Sequence, residues 1–295
     1  MKELRKTFCR YDMVCDDPKG AGLEIYRMPE FFSQVSGLET DKIHVHGFYE
    51  IVWFTQGEGV HYVDFSEYPV SNGTMFFISP GQVHSFDKRH DQKGYVIKVC
   101  SELLADEVYG SLAYLIYNIF NAYDRAPFCR LDERDNSNLS YILDAAEAEL
   151  KHPGSLGHEE YLQSLVRLFL ITVQRAYVSD ASSLFNPVRT SHRYFLSFRR
   201  LLDENYTTVH TVKEYASMLN ITSKTLTQYV GECSTQSPLS LINNRIILEA
   251  KRLLRYSNFS VKEIAFRLGF EDPSYFVKFF KRLVHRSPAD YRESI

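Results

Sequence analysis

Between residues 42 and 100, apolar and polar positions alternate in short segments cut by turn residues. Tyr49–Thr55 runs into Gln56-Gly57-Glu58-Gly59, Val60–Phe65 follows, Met75–Ile78 stops at Ser79-Pro80-Gly81, and Tyr95–Val99 closes the series. A period of two with even turn punctuation predicts an antiparallel sandwich or barrel. From Ser101 the period lengthens to that of a helix. Leu103, Leu104, Val108, Leu112, Leu115, Ile116 and Ile119 form one apolar stripe. Leu139, Ile142, Leu143, Ala146 and Leu150 form a second, ended by His152-Pro153-Gly154. Leu162, Leu165, Val166, Phe169 and Val173 form a third. The short turn between the last two predicts antiparallel neighbours, which either cover the barrel or form a dimer seam. Val178–Thr190, with Ser182-Ser183 and Asn186-Pro187, reads as a linker.

Beyond the linker the pattern repeats. Thr211-Val212-Lys213-Glu214-Tyr215-Ala216 returns 49 residues later as Ser260-Val261-Lys262-Glu263-Ile264-Ala265. Each copy opens with Thr or Ser at an N-cap and Glu three residues on, the pattern of a capping box. Each helix runs to Leu219-Asn220 or Leu268-Gly269, where Asn or Gly suits a left-handed stop, and a second helix follows. This predicts two helix-turn-helix units. In the first unit's second helix, Leu226 and Val230 face inward, while Lys224, Thr227 and Gln228 share the outer face. In the second unit, Phe276, Phe279 and Phe280 face inward, leaving Ser274, Val277, Lys278 and Lys281 outside. Small, amide and cationic side chains suit base edges and phosphates in a major groove. Leu239–Arg255 reads as a long connecting helix packed through Leu241, Ile242, Ile246, Leu248, Ala250 and Leu253.

Charge sharpens this division. Residues 188–295 hold 17 Lys/Arg against 10 Asp/Glu, whereas residues 1–187 hold 17 against 27. A basic C-terminal third suits a polyanion at that end only. The N-terminus carries no secretory core, and no apolar run is long enough to span a bilayer, so a cytoplasmic chain is expected. Five scattered cysteines without a CxxC pair suggest a reduced set.

The β region also holds candidate chemistry. His44, His46 and Glu50 share parity, so on one continuous strand they face the same way, and His84 ends a later strand. His44-Val45-His46, three residues, Glu50, six residues and Gly57 fit the spacing of the first cupin motif; Gly73, Gly81 and His84 resemble the second, with its proline displaced to Pro80. The segment resembles a cupin, a small jelly-roll barrel. In metal cupins the matching residues His44, His46, Glu50 and His84 would be ligands, and imidazole with carboxylate suits a divalent ion. A metal-free small-molecule pocket and structural histidines remain the alternatives.

At the C-terminus, Arg245, Ala250, Leu253-Leu254, Ile264-Ala265, Leu268-Gly269-Phe270, Ser274-Tyr275-Phe276, Phe279-Phe280-Lys281, Ser287-Pro288 and Tyr291-Arg292 resemble the AraC/XylS signature over about 100 residues. Val230, where the family usually has Phe, and the missing glycine before Ser237-Pro238 depart from it. The resemblance implies that Lys224, Thr227, Gln228, Ser274, Val277 and Lys278 face DNA, with a cupin-like effector domain in front.

The expected architecture is α+β. Residues 1–100 form a cupin-like effector domain, 101–178 a helical dimerisation segment, 179–190 a linker and 191–295 an all-α tandem reader. The expected function is sequence-specific transcription regulation, governed by a small, sugar-like effector held by His44, His46, Glu50 and His84. Expected partners are double-stranded DNA, the effector, a second copy of the chain and, for an activator, RNA polymerase. No cofactor and no catalytic residue are expected. The rival is a metal-dependent cupin enzyme with a DNA-binding tail.

Overall fold

The structure, a computed structural model, describes residues 9–11, 13, 22–34, 42–87, 91–100, 103, 115–116, 119–120, 126–177 and 190–294. The chain divides into two compact units, the first spanning Cys9–Leu184 and the second Phe185–Ile295. The expected linker lies outside the described residues except for Thr190, which begins a helix, and so do Leu104, Val108 and Leu112 of the first helical stripe; its Leu103 and Ile119 are buried in the core of the first unit.

The first unit runs β1 (Cys9–Tyr11), β2 (Leu23–Arg27), α1 (Met28–Gln34), β3 (His44–His46), β4 (Tyr49–Gln56) and β5 (Gly59–Val63). It continues through β6 (Ser66–Val70), β7 (Thr74–Ile78), β8 (His84–Ser85), β9 (Lys93–Val99), β10 (Phe128–Arg130), α2 (Glu133–Leu150) and α3 (His158–Tyr177). The strands form two five-stranded sheets, β1-β3-β8-β5-β6 and β10-β7-β4-β9-β2. All pairings are antiparallel except β1 with β3.

The second sheet is buried on both faces. Odd-numbered β4 residues, Ile51 and Trp53, join a cluster with Leu139, Leu143, Leu162, Val166 and Phe169 of the two long helices. Even-numbered Val52 and Phe54 join the barrel interior with Phe76, Ile78 and Val96. Such a strand is apolar at consecutive positions because helices cover its outer face. Trp53 Nε1 donates to Asn136 Oδ1 at 3.0 Å, and Arg27 binds Glu147 at 2.8 Å, pinning α2 to the sheet. A cavity of about 20 Å³, lined only by apolar side chains such as Ile97, Leu143 and Phe169, lies between sheet and helices. That is about one water in size and too small for a metabolite.

The apolar stripes of α2 and α3 are thus consumed by the sheet. What they leave outward is Tyr141 (78% exposed), Tyr161 (49%) and Leu168 (49%), the last two sharing a face at i, i+7. A second difference concerns the cysteines. Cys129 and Cys233 are free thiols, but Cys100, buried just after β9, is disulfide-bonded. The expectation of a wholly reduced set fails there, because spacing along the chain does not report which sulfurs meet in the fold. No described helix is long and apolar enough to cross a membrane.

The second unit is helical: α4 (Thr190–Asn205), α5 (Val212–Met218), α6 (Ser223–Cys233), α7 (Pro238–Tyr256), α8 (Val261–Arg267), α9 (Pro273–Val284) and α10 (Pro288–Glu293). α4 was not predicted, although Phe195, Phe198 and Leu202, all buried, carry a helical spacing. α7 matches the expected connector, with Leu241, Ile242, Ile246 and Ala250 buried. Leu248 and Leu253 are only half-buried. Buried Arg245 holds this helix to α4: its Nε donates to Asp203 Oδ1 at 3.0 Å and its guanidinium lies 3.6 Å from the Tyr206 ring centroid.

Candidate nucleic-acid interface and buried histidine cluster

Each helix-turn-helix unit is set by local chemistry. Ser260 and Glu263 form a reciprocal capping box at the start of α8, with Ser260 N donating to Glu263 Oε2 at 2.7 Å. At α5, Thr211 Oγ1 accepts from Glu214 N, while the Glu214 carboxylate takes the Thr211 hydroxyl at 2.6 Å. The turns follow at Asn220 (φ 54°) and Gly269 (φ 79°). In each, the next amide reaches back to the helix: Ile221 N to Ala216 O and Phe270 N to Ala265 O, both at 3.0 Å. These bonds satisfy carbonyls that a helix end otherwise orphans.

The second helices, α6 and α9, then present the predicted faces. Lys224, Thr227 and Gln228 are exposed, over buried Leu226 and Val230. Ser274, Lys278 and Lys281 are exposed and Val277 is half-buried, over buried Phe276, Phe279 and Phe280. Two of these side chains are engaged: Thr227 Oγ1 donates to Ser223 O at 2.9 Å, and Gln228 Nε2 to Glu232 Oε1 at 3.2 Å. Sequence reasoning missed Tyr275, which stands 60% exposed between Ser274 and Phe276. Its place three residues before the outward Lys278 was the available signal.

The candidate pocket residues are buried inside the first unit. His44 and His46 lie on β3 and Glu50 on β4, in different sheets, so the continuous strand assumed for their shared parity is broken at Gly47-Phe48. They converge nevertheless, because the two sheets face each other. Glu50 Oε1 lies 3.6 Å from His84 Nε2 and 3.9 Å from His46 Nε2. The nearest donor atoms of His46, Glu50 and His84 all fall within 4.8 Å of one another. His44 is outside that set. Its ring lies 4.2 Å from the His84 ring, and its Nδ1 donates to Lys42 O at 2.8 Å. His61, missed by the sequence reading, approaches instead, with Nε2 3.5 Å from His84 Nδ1. It shares parity with inward Val63 on β5, the one signal available.

Burial governs the charges. Desolvation pushes Glu50 from its usual 4.5 up to about 7, only partly offset by the Lys98 ammonium. Desolvation, with other histidines adding to it, holds His61 down at about 3 and His84 well below its usual range. Both imidazoles are therefore neutral near pH 7.

Comparison with known proteins places both halves. Residues 35–166 match the model of the AraC-like ligand binding domain, and residues 215–294 match a helix-turn-helix domain. The chain carries the two domains of AraC-type transcription regulators. Among curated relatives, the transcriptional activator RhaS of Klebsiella pneumoniae is 23% identical over 85% of this chain and 87% of its own. The raffinose operon regulatory protein RafR of Pediococcus pentosaceus is 30% identical over 57% of this chain and 59% of its own. Among solved structures, ToxT of Vibrio cholerae O395 covers 92% of this chain and 96% of its own, with TM-score 0.39 and 15% identity. The DNA-binding domain of AdpA, in complex with a target DNA, covers 34% and 90%, with TM-score 0.32 and 27% identity.

The chain thus joins a basic helical reader to an AraC-like ligand-binding barrel. Inside the barrel, the cupin-like ligand set passes a chemical test at three positions and not at His44. Glu50 Oε1 and His84 Nε2 are buried with no hydrogen-bond partner, which is costly unless a cation or ligand completes them. Glu50 gives a testable sign. Its raised value means a contribution to stability that is complete below about pH 4.5 and lost as pH rises through about 7. In chelator-treated protein, Glu50→Gln is expected to be more stable than the parent by up to about 3 kcal/mol at pH 8. That advantage is expected to vanish near pH 4.5. Urea denaturation of both at the two pH values measures it, and a constant difference would refute the burial argument.

Proposed function

We propose that the chain is a homodimeric, non-catalytic regulator of the cytoplasm that inserts α6 and α9 into successive major grooves. Lys224, Thr227, Gln228, Ser274, Val277, Lys278 and Lys281 supply its DNA contacts. The observation that carries this is the pair of outward polar and cationic faces on two second helices, each backed by a buried apolar face. The effector is a small, sugar-like metabolite held in the barrel near His44, His46, Glu50 and His84, a reading supported by the raffinose operon named for one relative. Its entry requires α1 to give way, because Phe31 and Phe32 close the interior against Phe86, with ring centroids at 5.7 and 5.4 Å. Dimerisation uses the outward face of α2 and α3, at Tyr141, Tyr161 and Leu168, rather than the stripes buried on the sheet. RNA polymerase is the further partner where the outcome is activation.

Selection of bound sequences from random DNA, with and without candidate sugars, tests this. The expected site holds two reading elements one helical turn apart per protomer, with occupancy altered by one sugar. Recovery of unenriched DNA under both conditions would overturn the reading. Sedimentation is expected to give a dimer at micromolar concentration, lost in Tyr161→Glu/Leu168→Glu.

A further inference from the structure

We infer that His46, Glu50 and His84 bind one divalent first-row transition-metal ion, and that His44 is not a ligand. This departs from the four-residue set implied by the cupin resemblance and does not depend on the effector reading.

Three features of the barrel carry it. The first is convergence: two imidazole nitrogens and one carboxylate oxygen from three strands lie within 4.8 Å of one another, all on side chains no more than 3% exposed. A tetrahedral zinc site at about 2.0–2.1 Å places neighbouring donors about 3.3 Å apart, so the separations need shorten by at most about 1.5 Å. The second feature is tautomer control. His46 Nδ1 donates to Phe48 O at 2.7 Å, so Nε2 presents a lone pair toward Glu50. His84 Nδ1 faces His61 Nε2 at 3.5 Å. With His61 Nε2 as the acceptor in that contact, the His84 proton sits on Nδ1 and Nε2 is free for an ion. Outer-sphere bonds of this kind orient ligating histidines. Third, Glu50 Oε1 and His84 Nε2 are buried without hydrogen-bond partners. A bound cation converts both from a desolvation cost into ligand bonds.

Two imidazoles with one carboxylate select zinc, iron(II), cobalt(II) or nickel(II) over magnesium or calcium, which favour all-oxygen sets. Three protein donors also leave at least one position open to water or another oxygen donor. His44 fails on geometry: its ring packs beside His84, and its nitrogens fall outside the set of atoms that converges within 4.8 Å.

The test uses the full chain, stripped with chelator and titrated with cobalt(II) alone. One equivalent is expected to bind, with a visible d–d spectrum and a raised melting temperature. Glu50→Gln and His84→Ala are expected to weaken binding at least about 100-fold, and His44→Ala by no more than a few-fold. Emission from Trp53, the chain's one tryptophan and fully buried on β4, shows that each variant keeps a folded barrel. X-ray absorption on the loaded parent protein reads the ligands directly whatever the variants do, and two imidazoles are expected. No stoichiometric binding, three imidazoles, or equal loss in His44→Ala would each overturn the assignment.

Discussion

Gly269→Ala is expected to dismantle the second helix-turn-helix unit, costing more than about 3 kcal/mol. Two independent facts drive this. Gly269 sits at φ 79°, where a side chain is strained, and a Cβ there would overlap the carbonyl oxygen of Thr207. That atom is backbone, just beyond α4, so the clash cannot be relieved by rotating a side chain. The loss should appear in chemical denaturation and as abolished specific DNA binding. Asn220→Gly, at the matching turn of the first unit, supplies the control. Asparagine tolerates the left-handed conformation and glycine tolerates it better, so that variant should stay within a few tenths of a kcal/mol of the parent. A Gly269→Ala protein as stable as the parent would mean that the turn is not built as described.

The double variant Gln228→Ala/Lys278→Ala is expected to lower specific DNA affinity by about 100- to 1,000-fold while leaving the fold intact. Both side chains are exposed, so their removal creates no cavity. The two singles should separate by mechanism. Lys278→Ala removes a cation and should weaken all sequences alike, reducing the salt slope by about 1. Gln228→Ala should relax preference at one base pair, because the amide can pair with an adenine edge. In the free protein that amide donates to Glu232, which leaves its oxygen and second N–H available. Fluorescence anisotropy at several salt concentrations measures both. Singles with identical sequence profiles would remove the distinction between positioning and reading.

The elements most legible from the sequence were those whose information is local. The repeat at residues 211 and 260, its N-caps, and Asn220 and Gly269 specify helix starts and stops through bonds between residues at most five apart. The outward faces of α6 and α9 follow from the same period, since inside and outside are fixed once Leu226 and Phe276 are buried. Strands β4, β5, β7 and β9 were legible as short apolar runs cut by turns, although only β5 keeps a period of two while β4, β7 and β9 are buried at consecutive positions. What the sequence alone could not decide depends on which surfaces meet. The stripes of α2 and α3 fit a sheet or a partner equally well, and only the double burial of Trp53 and Ile97 assigns them to the sheet. The buried cluster was legible in its members but not in its geometry. His46, Glu50 and His84 converge because two sheets stack across the barrel, which also brings in His61 and leaves His44 aside. Parity fixes the face of a sheet to which a side chain belongs, whereas the distance across the barrel is set by the packing of Phe31, Phe76 and Phe86 between the sheets.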